Sequence, residues 1–323
     1  MHVVLLIDRE QEITGKNPHG TVQAGATRTA VEEALKELGH RVTVVPASAE
    51  LVAELRRLAP DFVFNIATGL ENKGQQANIV GLLELAGYPF LGSEMWAHVL
   101  GLHKPIAKMV FEKAGLPTPP FQVFTTGDEP VAQALRYPLI VKPAHEGSSI
   151  GISAEGVVDH EDGLRGAVRR VITELRQPAL VEEFISGREF TVGILGSRQP
   201  MVLPIEEIIF DTPGGGMYTY DVKSRDAVKP VCPADLPEES AEEIRRICLG
   251  AFRAIGCLDL ARIDIRTDAE ERPFILEINT LPGLQPDYSE FPRMALAAGI
   301  SFRDLVDQLM TSALERRIFD ETS

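Results

Sequence analysis

The chain has 323 residues, about two average domains, and its 32 basic against 47 acidic residues give a formal charge of −15. That balance excludes a broad basic surface for nucleic acid or anionic lipid, and no uninterrupted apolar run approaches the ~18 residues of a membrane helix. Hydrophobic residues at 44% and charged residues at 24% are ordinary for a globular chain, so a soluble protein with neither a nucleic-acid nor a membrane partner is expected.

Val3 to Ile7 is too short for an export signal, lacks a basic flank and runs into Asp8-Arg9-Glu10, so it reads as a buried strand. Ala30, Val31, Ala34, Leu35 and Leu38 then recur at helical spacing before Gly39, and Val42 to Val45 forms the next strand. A helix with Leu51, Val52, Leu55 and Leu58 stops at Pro60. Strand Phe62–Ile66, a helix carrying Ile79, Leu82, Leu83 and Ala86, and strand Tyr88–Leu91 follow. Strands alternating with helices predict a parallel α/β sheet covered on both faces.

Near residue 95 the alternation gives way to a helix with Ile106, Met109 and Val110, then to strands Phe121–Phe124, Leu139–Val141 and Leu180–Phe184 with a helix near 161–175. A smaller α+β lobe is expected there. Strands Phe190–Leu195 and Met201–Ile209 precede the irregular stretch 211–226, long enough to be a functional loop. Ser240-Ala-Glu-Glu243 reads as a capping box opening a helix with Ile244, Ile247, Ala251, Phe252 and Ile255 inward, and a last helix carries Phe302, Leu305, Val306, Leu309 and Leu314. Cys232, Cys248 and Cys257 are an odd number without CxxC spacing, which predicts a reducing cytoplasm rather than disulfides or zinc.

Three segments could carry chemistry. In Leu260 to Arg266 polar and apolar residues alternate, placing Arg262 and Asp264 on one strand face, and Phe274 to Asn279 does the same for Glu277 and Asn279. If the residues from Thr267 to Pro273 close a hairpin, two carboxylates and an amide meet as hard oxygen ligands for Mg²⁺; a solvated face with an Arg-Asp pair fits the pattern as well. Lys142 at a strand end precedes Gly147-Ser148-Ser149, which reads either as a loop presenting N–H groups to phosphates or as a plain turn. The stretch from Val181 to Ile185 reads as a strand end offering amides and a carboxylate to a nucleoside, or as a solvated acidic end. No histidine has an i,i+4 partner or a nearby cysteine, so none reads as a metal ligand.

Taken in order, Lys142-Pro-x-x-Glu-Gly-Ser-Ser-x-Gly151, Glu182-Glu-Phe-Ile-Ser-Gly-Arg-Glu189, Ala261-Arg-Ile-Asp264 and Leu276-Glu277-Ile-Asn279-Thr-Leu-Pro-Gly283 resemble the D-alanine–D-alanine ligase family of the ATP-grasp superfamily. The resemblance is close over about 100–290 and looser before, where Glu84 to Ser93 and Lys104 echo it. It implies a three-lobed ATP-grasp fold: an α/β domain at 1–95, a central lobe at 96–186 and a C-terminal lobe at 187–323, the last two clamping ATP. It also implies that Lys104 and Lys142 contact ATP phosphates under a loop bearing Ser148 and Ser149, with Glu182, Glu183, Phe184 and Ile185 at the adenine and Glu189 at the ribose. Asp264, Glu277 and Asn279 would hold two Mg²⁺ ions, with Mn²⁺ as a possible substitute. Arg262, Ser148 and the Gly283 N–H would serve catalysis, and Glu10, Lys223, Arg262, Gly283 and Ser289 would bind the substrates.

The implied reaction joins a carboxylate to an amine through an acyl phosphate, and the implied assembly is a homodimer using small amino-acid or carboxylate substrates. The departures fall in the amino-acid pockets. Glu10-Gln-Glu12 is a shortened echo of the family's glycine-rich opening, Ile66-Ala-Thr-Gly69 lacks its histidine, Ser224 replaces a tyrosine, and the stretch from Gly283 to Ser289 is one residue longer. The expectation is therefore retained ATP chemistry with altered substrates. The alternatives are an authentic cell-wall ligase, a non-catalytic nucleotide-binding relative, and a kinase that stops after phosphoryl transfer.

Overall fold

The apolar run near the N-terminus is strand β1 (His2–Ile7), buried along its length in the computed structural model, which describes residues 1–8, 18–69, 74–145, 156–210 and 228–320. It is the middle strand of a parallel sheet with β2 (Arg41–Pro46) and β3 (Phe62–Asn65) on either side. The pleat sends alternate residues to opposite faces. Val3, Leu5 and Ile7 meet Val31 and Leu35 of α1 (Pro18–Glu37), whereas Val4 and Leu6 meet Leu51 and Leu55 of α2 (Leu51–Leu58) and Val80 and Leu83 of α3 (Gly74–Ala86). Gly39, at φ +82°, ends α1 in the left-handed conformation that glycine adopts without strain. The predicted strand at Tyr88–Leu91 reduces to a single parallel bridge between Val63 and Phe90, since Pro89 has no N–H to extend the ladder.

Helices α4 (Met95–Leu102) and α5 (Lys104–Lys113) follow. Next comes an antiparallel sheet of order β4 (Phe121–Phe124), β7 (Ala179–Glu183), β5 (Leu139–Pro143) and β6 (Val157–Val158), covered by α6 (Glu161–Glu174). The chain then builds a larger antiparallel sheet in the order β11 (Val228–Val231), β10 (Glu206–Phe210), β8 (Glu189–Leu195), β12 (Leu260–Thr267) and β13 (Pro273–Asn279), with β9 (Met201–Val202) pairing β8. The strand expected over Met201–Ile209 is split into β9 and β10 around Pro204, which cannot donate to a ladder.

One face of this sheet, with Phe190, Val192, Ile194, Ile263 and Ile265, packs against α7 (Glu238–Ile255) and also against Ala97, Ala107 and Phe111 of α4 and α5. These two helices, placed with the central lobe by the sequence reading, therefore cover the C-terminal sheet. Helix α7 begins at Glu238 behind Pro237, so Ser240 lies inside its first turn and forms no capping box. After α8 (Glu290–Ala297), the last helix α9 (Phe302–Asp320) returns to the first sheet. Its Leu305, Val306 and Leu309 share one core with Val3, Leu5 and Phe62, as do Leu195, Leu260 and Phe291 of the C-terminal region. The first and last parts of the chain thus fold around a common interior that takes in Leu195 and Leu260 at one end of this sheet, and along the rest of the same face β8, β12 and β13 carry Glu189, Thr191, Arg262, Asp264, Glu277 and Asn279.

Candidate functional site

Strands β12 and β13 form the predicted hairpin, with Arg262 opposite Asn279 and Asp264 opposite Glu277. A bulge follows at once, so that Ile265 pairs with Ile275 and both return to the core. On the other side β8 sets Thr191 opposite Asp264 and Glu189 opposite Arg266. The face is mostly shielded from water rather than solvated: the side chains of Arg262 and Asp264 are 12% and 16% exposed.

Asp264 accepts from four donors, Thr191 Oγ1 (2.7 Å), Arg262 Nε (3.0 Å), Arg262 Nη2 (2.9 Å) and Asn279 Nδ2 (3.1 Å). Burial nevertheless holds its carboxyl above the usual range against the pull of Arg262, and the facing Glu277 adds to the rise. Glu277 receives the ammonium of Lys104. Burial likewise pushes Glu189 up to about 7 despite Arg266, whose Nε lies 3.4 Å away, and the charges of Asp264 and Glu277 contribute. Burial first, and repulsion among these acids after it, disfavours their charged forms, and a divalent cation beside them would favour those forms. Among the described residues no group of three or more His, Cys, Asp or Glu side chains is placed to hold a metal ion. The donor set here is two carboxylates and an amide, which suits Mg²⁺ when phosphate oxygens complete the shell.

Two further lysines converge where the central and C-terminal sheets meet. Lys142, on β5, donates to Glu182 Oε1 on β7. Lys108, on α5, lies 3.0 Å from Glu182 Oε2, donates to Thr118 Oγ1 at 2.6 Å and stands over the Phe121 ring. Burial alone would raise Glu182, but the two ammoniums outweigh it and hold the carboxyl below the usual range. At the end of β7 the amides of Glu183 and Phe184 are used by the carbonyls of Pro120 and Pro138, and the ring of Phe184 lies 5.0 Å beneath the Arg266 guanidinium. Ile185 is buried beside it.

Beyond β13 the chain turns toward α8. A Cβ on Gly283 would lie 2.8 Å from Ser289 Oγ, which also accepts the Gln285 N–H. Glu290 takes a third N–H of Arg262 at 3.0 Å, and Arg293 grips Glu206 through two bonds, at 3.0 and 2.7 Å. At the segment lacking the family's histidine, Asp8 accepts from Thr68 N (3.0 Å), Thr68 Oγ1 (2.9 Å) and Gly69 N (2.7 Å).

The structure thus brings together Lys104, Asp264, Glu277, Asn279, Arg262 and Glu189, and beside them Lys142, Glu182, Glu183, Phe184 and Ile185. Gly283 and Ser289 form a separate contact at the end of the hairpin. Glu10, Ser148, Ser149 and Lys223 lie outside the described residues, as does the stretch 211–226. Sequence reasoning missed Lys108, Asp8, Thr191 and Glu290. For Lys108 a signal existed: it follows Lys104 by four residues on one helix face, and like charges so placed require acidic partners.

Residues 110–311 match the family described as D-ala D-ala ligase C-terminus. The chain is 36% identical over 292 residues to a D-alanine–D-alanine ligase of Desulforudis audaxviator, covering 89% of this chain and 92% of the relative. The chain belongs to the D-alanine–D-alanine ligase family. A second relative, an uncharacterized protein of Sinorhizobium fredii, is 35% identical over 305 residues, covering 91% of this chain and 89% of the relative. The crystal structure of D-alanine–D-alanine ligase from Bacillus anthracis complexed with ATP shares the three-lobed ATP-grasp fold, with a TM-score of 0.79 at 22% identity, covering 99% of this chain and 100% of that one. As a member of the D-alanine–D-alanine ligase family the protein is an ATP-dependent, ADP-forming ligase that makes C–N bonds and uses a divalent metal. Among the described residues no helix is long and apolar enough to cross a membrane.

Proposed function

We propose that this ligase joins two small amino-acid or carboxylate and amine substrates through an acyl phosphate, with a first-substrate pocket that differs from that of its relatives. The observation that carries the reading is the intact face of Arg262, Asp264, Glu277 and Asn279, together with a 66–69 segment that is held by Asp8 and lacks the histidine of the family pattern it resembles. A substrate carboxylate oxygen attacks the γ-phosphorus, the bond to the β-phosphate oxygen breaks and ADP leaves. The amine nitrogen then attacks the acyl carbon, the C–O bond to phosphate breaks, and the nitrogen loses a proton as the amide forms.

In this reading Lys104 and Lys142 neutralise phosphate charge, and Glu182, Glu183, Phe184 and Ile185 receive the adenine with Glu189 toward the ribose. Ser148 and Ser149 cover the phosphates. Arg262 and the Gly283 N–H stabilise the oxyanion, while Glu10, Lys223 and Ser289 hold the substrates. Asp264, Glu277 and Asn279 would hold two Mg²⁺ ions, replaceable by Mn²⁺, which when bound supply Lewis-acid neutralisation of the transferring phosphoryl group. Since Asp264 already accepts four bonds, a metal ion there takes the place of one of its present donors.

The proposal includes a lobe division near residues 95 and 186, a homodimer and a cytoplasmic location. The unpaired thiols agree with that location, Cys257 being pushed up to about 12 by burial. Gel filtration with light scattering checks the dimer.

The names of the relatives favour a second reading, an authentic D-alanine–D-alanine ligase. ATP-dependent phosphate release with D-alanine alone and then with a panel of amino acids and small carboxylates, with products weighed by mass spectrometry, separates the two. An amide from another pair supports altered specificity, and the D-alanine dipeptide as sole product refutes it. A phosphorylated product stable to added amines would instead identify a kinase. Gly283→Ala is expected to lower turnover by about a hundredfold, because the new Cβ must push Ser289 or the Gly283 backbone aside and a shift of ~1 Å costs that much. Steady-state turnover beside a thermal melt checks it, and unchanged kcat would remove Gly283 from the site.

A further inference from the structure

The proposed nucleotide site assigns work to Lys104 and Lys142 and none to Lys108, the most deeply buried lysine of the cluster. Its side chain is 1% exposed and its ammonium touches Glu182 and Thr118 on one side and the Phe121 ring on another. Thr118 passes the contact on by donating to the Ile275 carbonyl at 2.9 Å, at the start of the strand that carries Glu277. A buried ammonium is costly, and a hydrophobic side chain of similar length would fill the same space at less expense. A role beyond filling is therefore indicated by its partners.

We infer that Lys108 is a positioning residue for nucleotide binding: by occupying one oxygen of Glu182 it keeps that carboxylate from neutralising Lys142 and leaves the Lys142 charge for the nucleotide. The inference rests on the reading of Lys142 and Glu182 as nucleotide contacts. With both lysines charged, Glu182 is shared and the trio carries a net charge of about +1; without Lys108 the remaining ion pair is neutral. The Lys108 side chain is 1% exposed, so it acts through its neighbours.

The charge state of Lys108 supplies a second handle. Burial pushes its pKa down to about 8, against the pull of Glu182 and with the repulsion of Lys142 added. The charged groups around it are Glu182 from β7, Lys142 from β5 and Glu112 on its own helix; Thr118 and Phe121 are uncharged. Below pH 8 Lys108 is protonated and the trio is positive. As pH rises through 8 the ammonium is lost, Glu182 falls wholly to Lys142, and affinity for the triphosphate declines.

The test is calorimetric titration of the full-length protein with a non-hydrolysable ATP analogue and Mg²⁺ from about pH 6.5 to about 9.5, for wild type and Lys108→Met. Wild-type affinity is expected to fall about tenfold across pH 8, and the variant to bind at least about tenfold more weakly below pH 8 with no step there, the order expected for one lost charge in a partly desolvated site. Because the variant leaves a neutral Glu182–Lys142 pair and fills the same space, its melting temperature should stay within a few degrees of wild type, so that the loss of affinity and of the pH step, which a space-filling role would not produce, is read on a folded protein. Unchanged affinity in Lys108→Met, or the same pH step in both proteins, overturns the inference. Should the variant not fold, the wild-type profile decides, and a flat profile across pH 8 overturns it. A wild type that binds no analogue at any pH overturns the nucleotide reading and this inference with it, whereas normal wild-type binding with an unaffected variant overturns this inference alone.

Discussion

Asp264→Asn combined with Glu277→Gln should reduce ATP turnover at least about a thousandfold, the several kcal/mol that a bound divalent ion contributes to phosphoryl transfer. The two side chains face each other across the β12–β13 hairpin, and between them they supply both carboxylates of the proposed metal site. The amides keep the shape of the acids and remove two like charges set directly opposite one another, an arrangement that costs stability in a sheet, but each turns an NH₂ toward groups that donate and takes a countercharge from Arg262 or Lys104. A lower melting temperature is therefore expected, and turnover is compared at a temperature well below the variant's melt. Release of ADP measured with a coupled assay over a range of Mg²⁺ checks it; turnover near the wild-type level would sink the metal assignment.

The hydrophobic pattern shows why so much of the fold can be read from the chain. Val3 to Ile7 is apolar on both faces, as a parallel strand covered by helices must be, and the helix of Ala34 and Leu35 stops where Gly39 allows a left-handed turn. The errors have a common cause, the outcome of a local signal being decided by groups distant in sequence. Ser240 carries the pattern of an N-cap, but the helix has already begun at Glu238 behind Pro237. Helices α4 and α5 fall within the expected central lobe, 96–186, in sequence and pack on the C-terminal sheet, because the apolar face of β8 and β12 offers Ala97 and Phe111 their cover.

The site divides along the same line. Alternation along β12 and β13 places Arg262, Asp264, Glu277 and Asn279 on one face from sequence alone, and only the register was needed to make them neighbours. Lys108 was missed although it follows Lys104 by four residues, because its meaning depends on Glu182, 74 residues later, and on Thr118. Asp8 was passed over because its partners, Thr68 and Gly69, arrive from another strand end, yet those three bonds hold the segment at which the sequence departs from the pattern it resembles. Glu290 shows the limit from the other side: its neighbour Ser289 was marked by resemblance, whereas the bond from Arg262 to Glu290 follows from how α8 docks against β8, the strand beside β12.

Asp259→Ala is expected to cost about 3–5 kcal/mol of stability, the loss typical of removing one member of a buried charged network. Asp259 is fully buried at the seam between the first and last parts of the chain. Its carboxylate accepts the Gly92 N–H at 2.9 Å and the hydroxyls of Ser197 at 2.6 Å and Ser312 at 2.8 Å, with Arg316 at 3.5 Å. Truncation leaves those donors facing a cavity, each buried unsatisfied group costing about 1–3 kcal/mol. The backbone adds to the loss, since Asp259 sits at φ +62°, a conformation that Asp and Asn adopt more readily than Ala. Asp259→Asn separates the two contributions: it keeps the left-handed backbone and one acceptor oxygen for the serines, but turns an NH₂ toward Gly92, so it should lose less than Ala. A fall in melting temperature on the order of 10 °C for Ala and a smaller one for Asn is the expected order. Because the residue lies just before β12, loosening it also releases the strand that carries Arg262 and Asp264, so kcat at a temperature well below the melt should fall with Ala and be largely kept with Asn. Equal melting temperatures for wild type and Asp259→Ala would show that the common interior of α1, α9 and β1 holds the seam without it.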